Sequence, residues 1–334
     1  MFLHRSRKVS APEFPRGLTW LNSSAKTMKR LTGKVVLIDF WTYSCINCFR
    51  TIPHVKRWHE TYKDFGLEVI GVHTPEFAFE KDQENVEKAL NDFQITYPVV
   101  LDPDYKIWNL YANRWWPRKF LIDSHGGIVY DHVGEGGYAE TEQAIQKALT
   151  GIGGKDFPAI KPDVSLGGGI CYRTTPETYF GFLRGRYGNR QAVIPNEETE
   201  FTMEGDKEDD LVYLHGHWKV TGEGVQHVRK LPSAHEYLTM KYSAFSVNAV
   251  MGTTDKGTSK TAEIEIELEG LPLPEDMAGE DVKMKKGKAI VTVKKSRMYR
   301  IVDSDTYHRG TLRLKTSSGN LELFSFTFGG CKGM

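Results

Sequence analysis

The chain is 334 residues long, 40% hydrophobic and 26% charged, which is enough for two globular domains and ordinary enough in composition to fold both. Its 44 basic and 43 acidic residues are well mixed and leave a formal net charge of +1, so there is no electrostatic footprint for nucleic acid or an anionic membrane. No stretch approaches the ~20 apolar residues of a membrane-spanning helix, and the opening "MFLHRSRKVSAPEF" lacks the apolar centre of a secretion signal.

From Lys34 to Thr150 short apolar runs alternate with segments of helical period. "KVVLIDFW" reads as a buried strand, and Phe49, Ile52, Val55, His59 and Tyr62 follow at helical spacing. "LEVIGVH" is a second strand, after which Val86, Ala89, Leu90 and Phe93 form one helical face. "YPVVLD", "KFLID" and "GIVYDHV" are further strands, with "SHGG" turning between the last two, and "TEQAIQKALT" closes the unit as a helix. Such alternation predicts an α/β domain over 1–150 with a partly parallel sheet.

Residues 151–170, rich in Gly and Pro, read as a linker. Beyond it the helical period nearly vanishes. "LVYLHGHWKVTG", "EYLTMKYSAFSVNAVMG", "AEIEIELEG", "KAIVTVKK", "RMYRIVDS", "GTLRLKTSSG" and "LELFSFTFGG" are alternating strands separated by turn residues. Seven or eight such strands predict an all-β jelly-roll sandwich over 171–334.

The four cysteines are Cys45, Cys48, Cys171 and Cys331, too few for a disulfide scaffold in a chain of this length. Cys45 and Cys48 form a C-x-x-C pair directly after a strand. A structural zinc site would need a second Cys/His pair at matching spacing, and none follows. Inert core cysteines are the bland alternative. Thiol exchange is the favoured reading, because a thiolate is the nucleophile and a helix N-terminus favours it. Cys45 falls where the helix should begin, and Cys48 lies one turn on, able to attack a mixed disulfide formed at Cys45. No organic cofactor and no metal is implied, since the cysteine pair carries the electrons.

Asp39, in the middle of an apolar strand, is a candidate proton acceptor for Cys48, the alternative being a carboxylate held by backbone. Pro117 directly precedes a strand, where proline fits only at the start or at an edge. A cis bond there would present the backbone of Trp116 to an extended substrate segment.

These residues resemble a known family. The order "DFW…C-x-x-C" followed by "P-x-x-FLID" is similar to the thioredoxin superfamily, and more narrowly to its redoxin and TlpA-like branch, with Asp39 at the buried aspartate and Pro117 at the cis-proline. The pieces "GKVVLIDFWTYSCINC", "VIGVHTPEFAFE", "WP" and "GEGGYAETE" resemble the soluble C-terminal part of DipZ proteins, in which a thioredoxin-like domain precedes a sandwich similar to carbohydrate-binding modules. "TPETYFG", "LHGHW" (Leu214, Gly216, Trp218) and "FTFG" extend the resemblance through the second half. It implies a thiol:disulfide oxidoreductase acting on protein disulfides, an extracytoplasmic location, a CcdA-like membrane protein as candidate electron donor, and a glycan as candidate ligand of the sandwich. Trp41, Tyr43, Trp116 and Glu76 are the expected substrate-contacting residues, and Glu76 is a second acid/base candidate or part of a capping loop. Where TlpA-like proteins often carry a glutamate, three residues past the second cysteine, this chain has Thr51. The neutral Ile46 and Asn47 between the cysteines favour a reductase over an oxidase.

Three rival readings remain open. Thr42, three residues before Cys45, matches part of a thiol-peroxidase signature that wants proline where Ile38 stands. A sugar-binding sandwich would use exposed rings, for which Tyr172, Tyr179, Tyr187, Tyr237 and Tyr242 are candidates. His215 and His217 share one side of a strand, as two metal ligands would, but no second motif accompanies them. Cys171 and Cys331 bracket the second domain and are either free thiols or a structural disulfide, the latter favouring an oxidising compartment.

Overall fold

A computed structural model describes residues 9–160, 171–203, 205–229, 236–255 and 260–331 of the protein. Residues 161–170 of the expected linker lie outside this range. The chain divides into two compact units, Met1–Gly167 and Gly168–Met334.

The first unit contains the short strand β1 (Trp20–Leu21), β2 (Val35–Trp41), helix α1 (Ile46–Tyr62), β3 (Leu67–His73), α2 (Gln83–Asp92), β4 (Val99–Leu101), α3 (Lys106–Leu110), β5 (Arg118–Ile122), β6 (Ile128–Val133) and α4 (Tyr138–Thr150). Among the described residues its sheet runs β1-β4-β3-β2-β5-β6. The β2–β3 and β3–β4 pairs are parallel, and the β1–β4, β2–β5 and β5–β6 pairs are antiparallel. This is the thioredoxin-like arrangement, with a C-x-x-C helix rising from a central strand.

All seven residues of β2 are buried, which explains why its sequence is one apolar run and not an alternation. Val35, Leu37 and Trp41 belong to one core, with Val55, Trp58 and Tyr62 of α1 and Ile145 and Leu149 of α4. Val36, Ile38 and Phe40 belong to the other, with Ile107 and Trp108 of α3 and Phe120 of β5. The two-residue period therefore puts Asp39 on the α1 face, the side that holds Cys48. The helix α3 and the strand β1 are too short to announce themselves by periodicity.

In the second unit the strands are β7 (Thr178–Tyr179), β8 (Glu198–Phe201), β9 (Tyr213–Val220), β10 (Val225–His227), β11 (Tyr237–Thr253), β12 (Ala262–Leu268), β13 (Leu271–Pro272), β14 (Val282–Lys285), β15 (Lys288–Val293), β16 (Arg297–Thr316) and β17 (Leu321–Gly329). Among the described residues they are joined in the order β14-β15-β12-β16-β11-β17-β10-β9-β8, with β13 on β12 and β7 on β17. This all-β unit of sandwich type has more strands than expected, partly because two-residue pieces carry no pattern. Conversely, the two expected strands "RMYRIVDS" and "GTLRLKTSSG" are halves of the single strand β16. β11 pairs with β9 over Tyr237–Thr239 and with β17 from Ser246 onward, and its register against β16 on the other edge shifts between Ala244 and Ser246. A bulge at such a point lets one strand change neighbours and wrap the core.

Trp218 is fully buried in that core and its indole nitrogen donates to the His215 carbonyl at 2.9 Å, so its role is structural. Cys171 and Cys331 are bonded, with an S–S distance of 2.08 Å, and are separated by 160 residues.

Candidate active site

The turn after β2 delivers Cys45 to the N-cap of α1, where its backbone is extended (φ −83°, ψ 118°). Its Sγ accepts from the Cys48 backbone N–H at 3.4 Å, one of the unpaired donors of the first helical turn. Cys45 is half-buried and Cys48 buried, both as free thiols. Burial, first of all, pushes the Cys48 thiol well above the ordinary cysteine range, and the contact with Cys45 and the charge of Asp39 push it the same way. The pair is therefore unequal: one sulfur reaches solvent, and the other keeps its proton until a base removes it.

The charge of Asp39 reaches Cys48 from the same face of the sheet. The Asp39 side chain is buried, and among the described residues neither carboxylate oxygen has a hydrogen-bond partner. Burial raises its pKa from 3.8 to about 7, against the opposing charge of Lys119. Lys119, which the sequence reading passed over, lies directly opposite Asp39 on β5 and is fully buried. Its Nζ donates to the Gly134 carbonyl at 3.2 Å, and burial lowers its pKa while Asp39 raises it. A lysine inside the apolar run "KFLID" was the available signal. On the other side of Asp39, β3 offers Gly71, where a Cβ would sit 2.9 Å from Trp41 Nε1. Glycine is required there for the indole to fit.

The Trp116–Pro117 peptide is cis and immediately precedes β5. The Trp116 carbonyl oxygen lies 4.0 Å from Cys45 Sγ, its indole donates to the Thr74 carbonyl at 2.9 Å, and its ring centroid is 4.2 Å from that of Trp108. The structure thus brings Cys45, Cys48, Asp39 and Trp116–Pro117 together.

Two expected substrate contacts are corrected. Trp41 is 0% and Tyr43 7% exposed, and both belong to the core beneath the site, because β2 is covered on both faces up to its last residue and the turn folds Tyr43 onto the His73 ring. Glu76 is half-buried, but the carboxyl that reaches the thiol-bearing turn is Glu80. Its oxygens accept from Ser44 N–H (3.2 Å), Ser44 Oγ (2.6 Å), Glu76 N–H (2.5 Å) and Phe77 N–H (3.0 Å). Burial pushes Glu80 up to about 7, opposed mainly by the bond from Ser44. A glutamate four residues past "HTPE" reads from sequence as an ordinary start to a helix, so nothing but its burial singles it out. His73, fully buried beside Thr42, has its pKa lowered to about 3 by burial and stays neutral. Thr51 is buried, its hydroxyl 3.3 Å from that of Tyr138.

In the second unit His215 stacks on Tyr237, and His217 Nδ1 lies 3.1 Å from Glu236, which also holds Arg229 and His227. No group of three or more His, Cys, Asp or Glu among the described residues is arranged to hold a metal ion. Of the five candidate tyrosines, Tyr172 is exposed, its ring tilted against those of Tyr307 and Phe245, whereas Tyr242 is in the core.

Both units of the chain are similar to known proteins. Residues 8–149 match the family model described as Redoxin, and residues 175–329 match that described as Thioredoxin like C-terminal domain. The protein named DipZ of Mycobacterium tuberculosis is 34% identical over 334 residues, covering 96% of this chain. The chain spans 43% of the length of that relative. Thiol-disulfide oxidoreductase YkuV of Bacillus subtilis is 26% identical over 138 residues, which is 41% of this chain and 93% of YkuV. A solved thioredoxin-like protein in its oxidised form is 26% identical with a TM-score of 0.40, covering 43% of this chain and 97% of that one. The first half of the chain is thus similar to redoxins and the second half to the thioredoxin-like C-terminal domain, in the order that the DipZ relative also has over the 96% of this chain it matches.

Proposed function

We propose that the chain reduces disulfides in client proteins through Cys45 and Cys48. The observation that carries this is the asymmetry of the pair: Cys45 is partly open to solvent at a helix N-cap, and Cys48 is sealed within the charge of Asp39, whose carboxyl has no hydrogen-bond partner among the described residues. The Cys45 thiolate attacks a client disulfide, forming a Cys45–client bond and releasing one client thiolate. Cys48 then gives its proton to Asp39, and its sulfur attacks Cys45, releasing the second client thiol. Two electrons pass to the client and the protein is left with a Cys45–Cys48 disulfide. A separate dithiol donor must reduce it again, and a CcdA-like membrane protein is the candidate. The Trp116 backbone, beside Cys45 Sγ, flanks the client segment.

The reductive direction rests on the neutral Ile46 and Asn47 between the cysteines. Equilibrating the pair against glutathione and counting thiols by mass tests it. A potential near about −270 mV supports a reductase, and one near about −120 mV makes the protein an oxidant. Cys48→Ser should accumulate the mixed disulfide, and Cys45→Ser should abolish exchange. A peroxidase role finds no support at Thr42, whose hydroxyl faces the buried His73.

The second unit serves in docking or ligand binding, with the exposed Tyr172 and the half-buried Tyr307 beside it as the ring surface for a glycan. Glycan binding that survives loss of both active-site cysteines would support this role, and its absence would count against it.

A further inference from the structure

We infer that Glu80 is a positioning residue for the attacking thiol. The inference deepens the proposed function, resting on Cys45 as the attacking group. The side chain of Glu80 touches neither cysteine. It binds what lies behind Cys45: one oxygen accepts both the N–H and the hydroxyl of Ser44, the residue immediately before the N-cap, and the other accepts the N–H groups of Glu76 and Phe77. One buried carboxyl thereby ties the turn that carries the thiol to the loop that follows β3.

That loop is itself a fixed wall of the site. The Trp116 indole donates to Thr74, and the Tyr105 hydroxyl donates to Pro75. The loop after β3 thus joins two segments around Cys45: it holds the turn after β2 through Glu80 and the Trp116–Pro117 segment through Thr74. Ser44 and Glu80 are both buried, so water does not replace these bonds cheaply when they are lost. The contact from Cys48 N–H to Cys45 Sγ needs the N-cap backbone to stay extended, and Ser44 is its only covalent approach from the strand. Loosening Ser44 therefore withdraws the sulfur from the helix N–H groups that favour its anionic form.

The test is the rate at which Cys45 in the reduced, full-length protein is alkylated by iodoacetamide at pH 7, read by mass. Glu80→Gln keeps size and one acceptor oxygen but cannot accept from both pairs of donors. It should slow Cys45 alkylation about three- to tenfold. Ser44→Ala, which loses the hydroxyl and keeps the N–H, should slow it less. The double variant should be no slower than Glu80→Gln alone, since both changes break one connection. If Glu80 only supports the fold, the variants melt earlier but the folded protein alkylates at the wild-type rate. An unchanged or faster rate overturns the inference, and should Glu80→Gln not fold, Ser44→Ala decides by the same criterion. Alkylation needs neither client nor donor, so failure of the proposed reductase role would show in the exchange assay and leave this result intact.

Discussion

Asp39 and Lys119 stand opposite each other on the antiparallel strands β2 and β5, both side chains sealed from solvent, and the aspartate oxygens have no hydrogen-bond partner among the described residues. A carboxyl so placed is costly to ionise and is not fixed by a competing bond, which suits it to take and return a proton.

Replacing Asp39 should separate catalysis from stability. In Asp39→Asn, release of the client from the Cys45 mixed disulfide should slow by about 100-fold or more, as loss of a general base does, while formation of the mixed disulfide is little affected. Stopped-flow exchange with a disulfide peptide reads both steps.

The same variant should be more stable than the parent in base. The Asp39 pKa rises from 3.8 to about 7 on folding, so between these values the unfolded chain has lost the proton that the folded one keeps. Stability then falls as pH rises through this window, by about 4 kcal/mol in all. Asp39→Asn removes that loss: denaturant midpoints of the two proteins should be close at pH 4 and diverge by pH 8, the variant being higher. Coincident midpoints at pH 8 would mean that the carboxyl is not desolvated.

Lys119 opposes the effect of burial on Asp39. In Lys119→Met the aspartate should bind its proton more tightly, and the rise of the resolution rate with pH should move upward. A limb that moves downward, or a rate profile that does not move, would show that the lysine charge does not reach Asp39.

Glu142 of α4 holds α1 by three bonds: Arg57 at 2.6 Å, Trp58 Nε1 at 3.2 Å and the Tyr62 hydroxyl at 2.8 Å. Glu142→Ala strands the buried indole N–H and the charge of Arg57, at a cost of about 3 kcal/mol. The first unit should unfold at lower denaturant, with the exchange rate of the folded protein unchanged, because these bonds lie at the far end of α1 from the cysteines.

The Cys171–Cys331 bond closes a loop of 160 residues. On the loop-entropy account its removal in a Cys171→Ser, Cys331→Ser double variant should cost the second unit about 5 kcal/mol. Calorimetry with and without reductant should show the parent losing the same stability when reduced. A variant as stable as the oxidised parent would show that the core holds the unit without it.

The elements that were legible in the sequence are those whose whole length obeys one pattern. β2 is apolar throughout because both its faces are covered, and α1 shows Ile52, Val55 and Tyr62 at helical spacing because one face packs on the sheet. Elements of two to five residues, such as β1, β7 and α3, have no room for a period. β16 was read as two strands because its middle, "DSDTYHRG", is polar where the strand is exposed.

The sequence by itself determined the local placement of the candidate groups. Two cysteines three positions apart after a buried strand fall at one end of a helix, and a carboxyl in that strand falls on one of its two faces, because helix rise and strand alternation are local properties. Only the tertiary structure decided which other groups surround them. Lys119 is 80 positions from Asp39 and Glu80 is 36 from Ser44, and each reaches its place through strand order and loop packing, which no local period encodes. The same packing moved Trp41 and Tyr43 out of reach of a substrate. Burial depends on what covers a residue, and what covers these two comes from strands and loops elsewhere in the chain.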